Sequence, residues 1–270
     1  NKIKFKFLNK RKDEHNLVLE NKEEKIIFSE IKNEVIPSLL RDYSAPVNLN
    51  TDLSLYDNIH LLRFDDNLFK KWDICQNLHL RLLKNNNLKL FSNSMKEIIN
   101  NTSIDNSIIS LILTPPSYKT FQNTLSNYDP LELYSLRNNY LMKFYKNLED
   151  DLYNLFKNSL EKFYTNLDIK IRPLLKVLLE ALCIIDNKFA SNISEEFYNS
   201  KIMEIKIMGL IACIKYNHSS SVKLLENFYN EFQNDKIVLE KWFQIKSSYN
   251  TLYFDGIDTV KGILQDKNFE

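Results

Sequence analysis

The pattern of apolar and polar residues changes along the chain. Roughly the first 50 residues follow the two-residue period of β-strands, and the rest follow the period of about 3.6 residues that is typical of α-helices. Residues 3–7 read Ile-Lys-Phe-Lys-Phe, which is the two-residue alternation of a half-buried β-strand. Residues 9–16 are polar and suit a hairpin loop, and the apolar runs at 17–20 and 25–28 predict two more short strands. The beginning of the chain is therefore predicted to form β-structure.

Two prolines limit where this β-structure can lie. Pro37 and Pro46 lack the N–H group that a strand donates to its neighbour, which places them at a sheet edge or at a strand end. A few short strands in so short a segment cannot bury both faces of a sheet. We therefore predict a partial small β-sandwich domain over residues 1–50.

The remaining segment, 51–270, follows the helical period. Over residues 66–84, apolar side chains recur at steps of three and four and form one stripe: Leu68, Trp72, Cys75, Leu78 and Leu82. Asp129-Pro130 predicts a helix start, because Asp can accept bonds from free N–H groups and Pro is tolerated in the first turn. The helix that follows is predicted to run to about residue 164, with a break near residues 149–151.

Further helices are predicted after this one, with short connections that favour antiparallel packing of neighbours. Their ranges are 169–185, 202–216, 220–232, 236–247 and 257–265. No clean repeat of fixed length is present. The predicted fold class is mainly α: a partial β-sandwich followed by an irregular superhelical domain of the HEAT or ARM kind.

Composition limits the kinds of partner and the cellular compartment that the sequence favours. The 36 Lys and Arg residues balance 35 Asp and Glu residues, which argues against a nucleic-acid partner, including an RNA-binding helical repeat. The longest apolar run, 202–214, is interrupted by Glu204 and Lys206, so no membrane association is predicted. Three widely spaced cysteines favour a reducing compartment such as the cytoplasm over a disulfide framework.

Histidine spacing bears on metal chemistry. A zinc peptidase of the His-Glu-x-x-His type needs two histidines four residues apart on one helix face. The four histidines, His15, His60, His79 and His218, contain no such pair. Cys75 and His79 are spaced to face one ligand together, but two ligands do not make a site, and we interpret them as a core thiol beside a helix-flank histidine.

Other polar clusters have structural interpretations. The acidic groups Asp65-Asp66 and Glu149-Asp150-Asp151 suit solvated charge or helix caps better than acid–base catalysis. The serines at 219–221 follow His218 without the Gly-x-Ser-x-Gly turn of a nucleophile, and predict an N-cap for a helix that begins near Val222. With three glycines in the chain, no phosphate-binding loop is present. We assign no catalytic, substrate-binding or metal-binding residue.

Four segments together resemble the bacterial-type aminopeptidase N family of zinc exopeptidases. Residues 37–47 read Pro-Ser-Leu-Leu-Arg-Asp-Tyr-Ser-Ala-Pro-Val, similar to a stretch that closes the family's small β-sandwich. Residues 128–131 resemble the Asp-Pro opening of its long helix, 241–243 its Lys-Trp-Phe segment, and 259–265 its Thr-Val-Arg-Gly-Leu-Leu segment. The matches occur in the family's order and span nearly the whole chain. Val35 and Lys246 depart from the usual pattern, in which Pro and Gln are expected.

This resemblance implies a parent protein that uses zinc to remove N-terminal residues from peptides. The start at Asn1 and the lack of a zinc motif suggest a C-terminal fragment, with the catalytic domain before it and the helical domain continuing after residue 270. The expected partners are the catalytic domain of the same polypeptide and the peptide substrates. The region is expected to cover the active site, restrict access to it, and be inactive alone. The alternative is a stand-alone helical-repeat protein-interaction module.

Overall fold

The computed structural model describes residues 5–7, 10–84, 88–125, 129–166, 169–185, 188–216, 218–248 and 256–269. The chain divides into two compact units, Asn1–Cys75 and Gln76–Glu270. Across the described ranges, no helix combines the length and the apolar character needed to cross a bilayer. The predicted domain boundary at residue 50 stays a prediction.

The first unit begins with a small antiparallel hairpin. Strands β1 (Phe5–Phe7) and β2 (Lys10–Lys12) pair with Phe5 opposite Lys12. The first predicted strand therefore coincides with β1, whereas β2 falls in the segment predicted to be a loop. The prediction of strands at 17–20 and 25–28 is wrong, since neither segment has strand structure. Without ladder partners their apolar side chains stay exposed: Val18 (78%), Leu19 (68%) and Ile27 (69%).

Helix α1 (Leu55–Phe64) begins with a capping box. The Ser54 hydroxyl accepts a hydrogen bond from the Asp57 backbone N–H at 3.1 Å, and the Asp57 carboxylate accepts one from the Ser54 backbone N–H at 2.8 Å. Two of the free N–H groups at this helix start are thus satisfied. Helix α2 (Leu68–Leu82) follows after a short connection, as its apolar stripe predicts.

A short 3-10 turn at Arg41–Tyr43 precedes these helices in the first unit. Leu40, Asp42 and Tyr43 have positive φ angles between 52° and 54°, a region that residues with a side chain seldom adopt. Asp42 is held there by hydrogen bonds with the Asn67 amide, whose Nδ2 donates to Asp42 Oδ1 at 2.6 Å. Contacts with the α1–α2 connection therefore shape this turn.

The second unit is built from α-helices. Their ranges are α3 (Lys89–Ile99), α4 (Asn106–Leu113), α5 (Tyr118–Thr124), α6 (Pro130–Lys146), α7 (Glu149–Asn166), α8 (Arg172–Ile184), α9 (Lys188–Tyr198), α10 (Met203–Lys215), α11 (Ser221–Phe232), α12 (Lys236–Ser248) and α13 (Gly256–Leu264). The predicted start at Asp129-Pro130 is confirmed: Asp129 Oδ1 accepts from the backbone N–H groups of Leu131 at 2.9 Å and Glu132 at 3.1 Å. The predicted break near residue 149 is also confirmed.

Helix α8 lies at the centre of this unit and contacts α4, α6, α7, α9 and α10. Its leucines at 174, 175, 178, 179 and 182 are each fully buried. Helix α9 was not predicted, although Phe189, Ile193 and Phe197 recur at steps of four along it. It packs closely on α10 at Gly209, which allows the two backbones to approach.

Candidate functional site

A groove lies between α11, α12 and the turn that follows α13. It is open to solvent and has a volume of about 400 Å³, and it is lined by Glu226, Tyr229, Asn230, Trp242, Lys246 and Asp266. The residues come from two helices that pack against each other and from the turn, so the rigid helix pair positions most of the lining. The groove combines aromatic, acidic and basic groups.

Trp242 and Tyr229 form the aromatic part of the lining. The indole Nε1 of Trp242 donates a hydrogen bond to the backbone carbonyl of Leu225 at 2.8 Å, and the side chain is only 5% exposed. The Tyr229 ring lies 4.6 Å from it, measured between centroids. Trp242 and Phe243 anchor α12 against its neighbours, because both belong to a buried apolar cluster that spans α9–α13.

The charged residues of the groove are arranged around these rings. The Lys246 ammonium lies 4.5 Å from the centroid of the Trp242 ring. Asp266 accepts hydrogen bonds from the Tyr229 hydroxyl at 3.0 Å and from the Asn268 backbone N–H at 2.9 Å. Burial, together with the Asp266 carboxylate, raises the pKa of Tyr229. Among the residues that the structure describes, the Glu226 side chain makes no hydrogen bond or ion pair.

Cys75 and His79, four residues apart on α2, are both fully buried. Burial raises the pKa of the Cys75 thiol, so the thiolate form that binds metals is disfavoured. The interpretation of Cys75 as a core thiol agrees with its complete burial. His79 was wrongly placed at a helix flank: its ring is fully buried against Phe91 and Phe144.

Within the described residues, the His79 side chain makes one hydrogen bond, between Nδ1 and the Tyr140 hydroxyl at 2.9 Å. Burial, with a smaller contribution from the positive charge of Arg137, lowers the pKa of His79 to about 3. The imidazole is therefore neutral at physiological pH. Nowhere in the described ranges do three or more His, Cys, Asp or Glu side chains come together in a way that could hold a metal ion.

The acidic clusters form ion pairs. Asp65 and Asp66 both bind the Arg41 guanidinium, at 2.6 Å and 2.5 Å. Glu149 and Asp151 lie in the first turn of α7, where negative charge is favourable, and pair with Lys146 at 2.5 Å and Lys96 at 3.5 Å. Asp66 is exposed, as predicted for solvated charge, and Glu149 and Asp151 are helix-terminal groups. Asp65 differs from the prediction of solvated charge, because its side chain is only 2% exposed.

The serines near His218 behave differently from the prediction. Helix α11 begins at Ser221, close to the predicted start, but Ser220 at the N-cap makes no side-chain capping bond. Its hydroxyl lies 2.7 Å from His218 Nδ1 instead, and Ser221 Oγ donates to the Cys213 carbonyl at 2.7 Å. The histidine competes for the capping hydroxyl, which sequence spacing alone does not reveal.

The second unit has the architecture of an irregular α-helical repeat protein, which confirms the ARM-like part of the predicted fold. A family model described as a domain of unknown function with ARM repeats, DUF3458_C, matches residues 56–270. A companion model described as a domain of unknown function with an Ig-like fold, DUF3458, matches residues 3–52. The chain belongs to the DUF3458_C family.

Named relatives of this chain are aminopeptidases, which confirms the resemblance seen in the sequence. The chain is 26% identical to the aminopeptidase N of Haemophilus influenzae over 82% of its own length and 27% of that protein's. It is 23% identical to the aminopeptidase N of Escherichia coli, over 92% of its length and 30% of that protein's. The chain thus spans about three tenths of the length of these curated relatives.

A solved structure shows the same fold. The crystal structure of Legionella pneumophila aminopeptidase A in complex with aspartic acid superposes with a TM-score of 0.77 and 21% sequence identity. The match covers 91% of this chain and 32% of the Legionella chain. At this identity the likeness concerns the fold.

Proposed function

We propose that this chain is the C-terminal portion of a zinc-dependent aminopeptidase, which removes N-terminal amino acids from peptides. In this proposal the chain covers the active site and restricts access to it, and does not hydrolyse peptides by itself. The observation that carries the proposal is the match of nearly the whole chain to about three tenths of each aminopeptidase N. Residues 3–52 would contribute to an Ig-like sandwich, as their family model suggests.

The side chains that the structure describes do not come together in a zinc site. The sequence lacks His-Glu-x-x-His, and the His–Cys pair with helical spacing combines a thiol of raised pKa with a histidine that is fully buried. The proposal therefore places the metal on another part of the parent polypeptide. The zinc would supply Lewis-acid activation of a water, and no residue of this chain is assigned to that step.

The contribution proposed for this chain is steric. Helical-repeat domains present extended surfaces whose shape is set by packing between successive helices. Here α8 is packed on five neighbouring helices, so the second unit has the rigidity that a cover needs. The partners would be the catalytic domain of the same polypeptide and the peptides that reach it.

The test uses the chain together with the remainder of its reading frame. We expect the purified chain with added zinc to release no amino acid from aminoacyl-coumarin substrates, and the full-length protein to release it. The catalytic portion expressed without this chain, if it folds, should lose its discrimination between dipeptides and peptides of ten or more residues. Zinc-dependent hydrolysis by the chain alone, or a parent gene without a zinc motif, would overturn the proposal.

The stand-alone interaction module remains the competing function. It requires that the chain be translated without a peptidase domain, so sequencing of the complete transcript separates the two functions. The compartment proposed is the cytoplasm or another reducing environment. This is supported by Cys75, Cys183 and Cys213, none of which forms a disulfide bond within the described residues.

A further inference from the structure

We propose that the groove between α11 and α12 binds the cationic side chain of an arginine or lysine in a peptide. The proposal rests on the proposed function only in taking a peptide as the source of the cation. It adds a subsite on the helical domain that selects peptides by charge. The argument depends on the charge balance of the groove, on its aromatic surface and on its size.

The groove carries more negative than positive charge. Glu226 and Asp266 contribute two carboxylates and Lys246 contributes one ammonium. Asp266 is engaged by neutral donors, the Tyr229 hydroxyl and the Asn268 N–H, and pairs with no cation among the described residues. Glu226 is exposed and Asp266 is half-buried, and two carboxylates against one ammonium leave the groove with a net negative charge. The groove therefore favours a positively charged ligand.

The aromatic surface of the groove already accepts a cation. The Lys246 ammonium lies 4.5 Å from the Trp242 ring centroid, within the distance at which a ring face attracts positive charge. Lys246 has a flexible stem near the C-terminal end of α12, and it makes no ion pair with Glu226 or Asp266 in the described structure. An incoming guanidinium can displace it, since its planar form stacks on an aromatic face and donates two parallel bonds to a carboxylate.

The size of the groove suits one long side chain. The groove is open to solvent, and its volume of about 400 Å³ can hold one extended side chain. Asn230 adds an amide oxygen that can accept a further hydrogen bond. The Trp242 indole is held by its bond to the Leu225 carbonyl, so the ring is positioned before a ligand arrives and the Lys246 side chain is the group that has to move.

The experiment uses the fluorescence of Trp242 in the complete 270-residue chain. The chain has two tryptophans, so Trp72→Phe leaves Trp242 as the reporter. Titration with acetyl-Ala-Arg-Ala-amide should give a saturable change in emission that weakens with added salt. The same peptide with citrulline in place of arginine should bind at least about tenfold more weakly, because it keeps the shape and loses the charge. Calorimetric titration of the unchanged chain makes the same comparison should the Trp72→Phe variant not fold.

Two variants and a control locate the binding. Glu226→Gln should lower the affinity for the arginine peptide about fivefold. Lys246→Met should raise this affinity about threefold, because it removes the competing ammonium. Glu240→Gln is the matched control, because Glu240 is exposed on α12 and does not line the groove. It should leave the affinity unchanged.

Three results would overturn the inference: no saturable binding, equal binding of the citrulline peptide, or equal effects of Glu226→Gln and Glu240→Gln. Failure of the proposed function is separable, because these titrations need no catalytic domain. A chain that binds the arginine peptide but does not restrict access to a peptidase would refute the proposed function alone.

Discussion

The Arg41 guanidinium donates a hydrogen bond from Nη1 to Oδ1 of Asp65 over 2.6 Å, and the Asp65 side chain is only 2% exposed. The same guanidinium reaches Asp66 at 2.5 Å and Glu14 at 3.2 Å. It therefore joins the beginning of the chain, the 3-10 turn and the α1–α2 connection. A buried carboxylate that loses its cation keeps the cost of desolvation.

Arg41→Ala is therefore expected to destabilise the first unit by about 2–3 kcal/mol, because Asp65 would be left buried without its partner. Arg41→Lys should recover only part of the loss, since an ammonium cannot bind both aspartates in the fork geometry. Urea unfolding monitored by circular dichroism measures the change. Arg63→Ala, at an exposed position of α1, should cost less than about 0.5 kcal/mol, and an equal loss for both alanine variants would contradict this role of Arg41.

His79 makes the stability of the chain sensitive to acid. Burial lowers the pKa of His79 to about 3. The His79 imidazole of the folded chain therefore stays neutral at pH values where the same imidazole in the unfolded chain takes up a proton. Below about pH 6.5, each pH unit should therefore remove up to roughly 1.4 kcal/mol of stability, until the folded pKa near 3 is reached.

The check is the unfolding free energy measured from pH 7.5 down to pH 4 in the unchanged chain and in His79→Leu. In His79→Leu, the slope of the unfolding free energy against pH should be smaller by the amount that corresponds to one proton. His60→Gln alters an exposed histidine and should keep the slope. Identical slopes in the unchanged chain and in His79→Leu would show that another group titrates.

Gly209 provides the closest approach between α9 and α10. A Cβ at this position would lie 2.4 Å from the Ser194 carbonyl oxygen and 2.6 Å from the Tyr198 backbone nitrogen, so one helix would have to move. We expect Gly209→Ala to destabilise the chain by about 1–3 kcal/mol.

Gly262 is a matched control for that substitution, because it also lies inside a helix but has open space where a Cβ would stand. Gly262→Ala should stabilise the chain by about 0.5–1 kcal/mol, through the lower entropy of the unfolded state. Thermal unfolding of both variants tests the pair. A shift of the melting temperature in the same direction for both would refute the assigned contact.

The three thiols should differ in reactivity. Cys75 and Cys213 are buried, and burial raises the pKa of Cys213 to about 12, whereas Cys183 is only partly buried. Because the thiolate is the reactive form, iodoacetamide at pH 8 should label Cys183 first in the folded chain. Peptide mass mapping over time measures the order, and labelling in urea, where all three should react alike, is the control. Faster labelling of Cys75 would show that the helix carrying it opens.

Local signals in the sequence were enough to predict several helix boundaries. Asp129 followed by Pro130 predicts the start of α6 because both residues act on their own backbone, and no tertiary contact is needed for the cap. The apolar stripe predicts α2 for a similar reason, since the spacing marks the helix face on which Cys75, Leu78 and Leu82 are buried. The predicted strands at 17–20 and 25–28 failed because strand structure depends on a partner that the sequence does not specify.

The amino-acid sequence by itself determined the helical character, the main helix starts, the absence of a zinc motif and the resemblance to aminopeptidase N. Each of these depends on residue types at short, countable spacings. Only the tertiary structure brought Glu226 and Trp242 to the same groove as Asp266, joined Arg41 to Asp65, and buried His79 completely. These relationships connect residues on different elements, or depend on what covers a residue, and such distances arise from packing rather than from spacing along the chain.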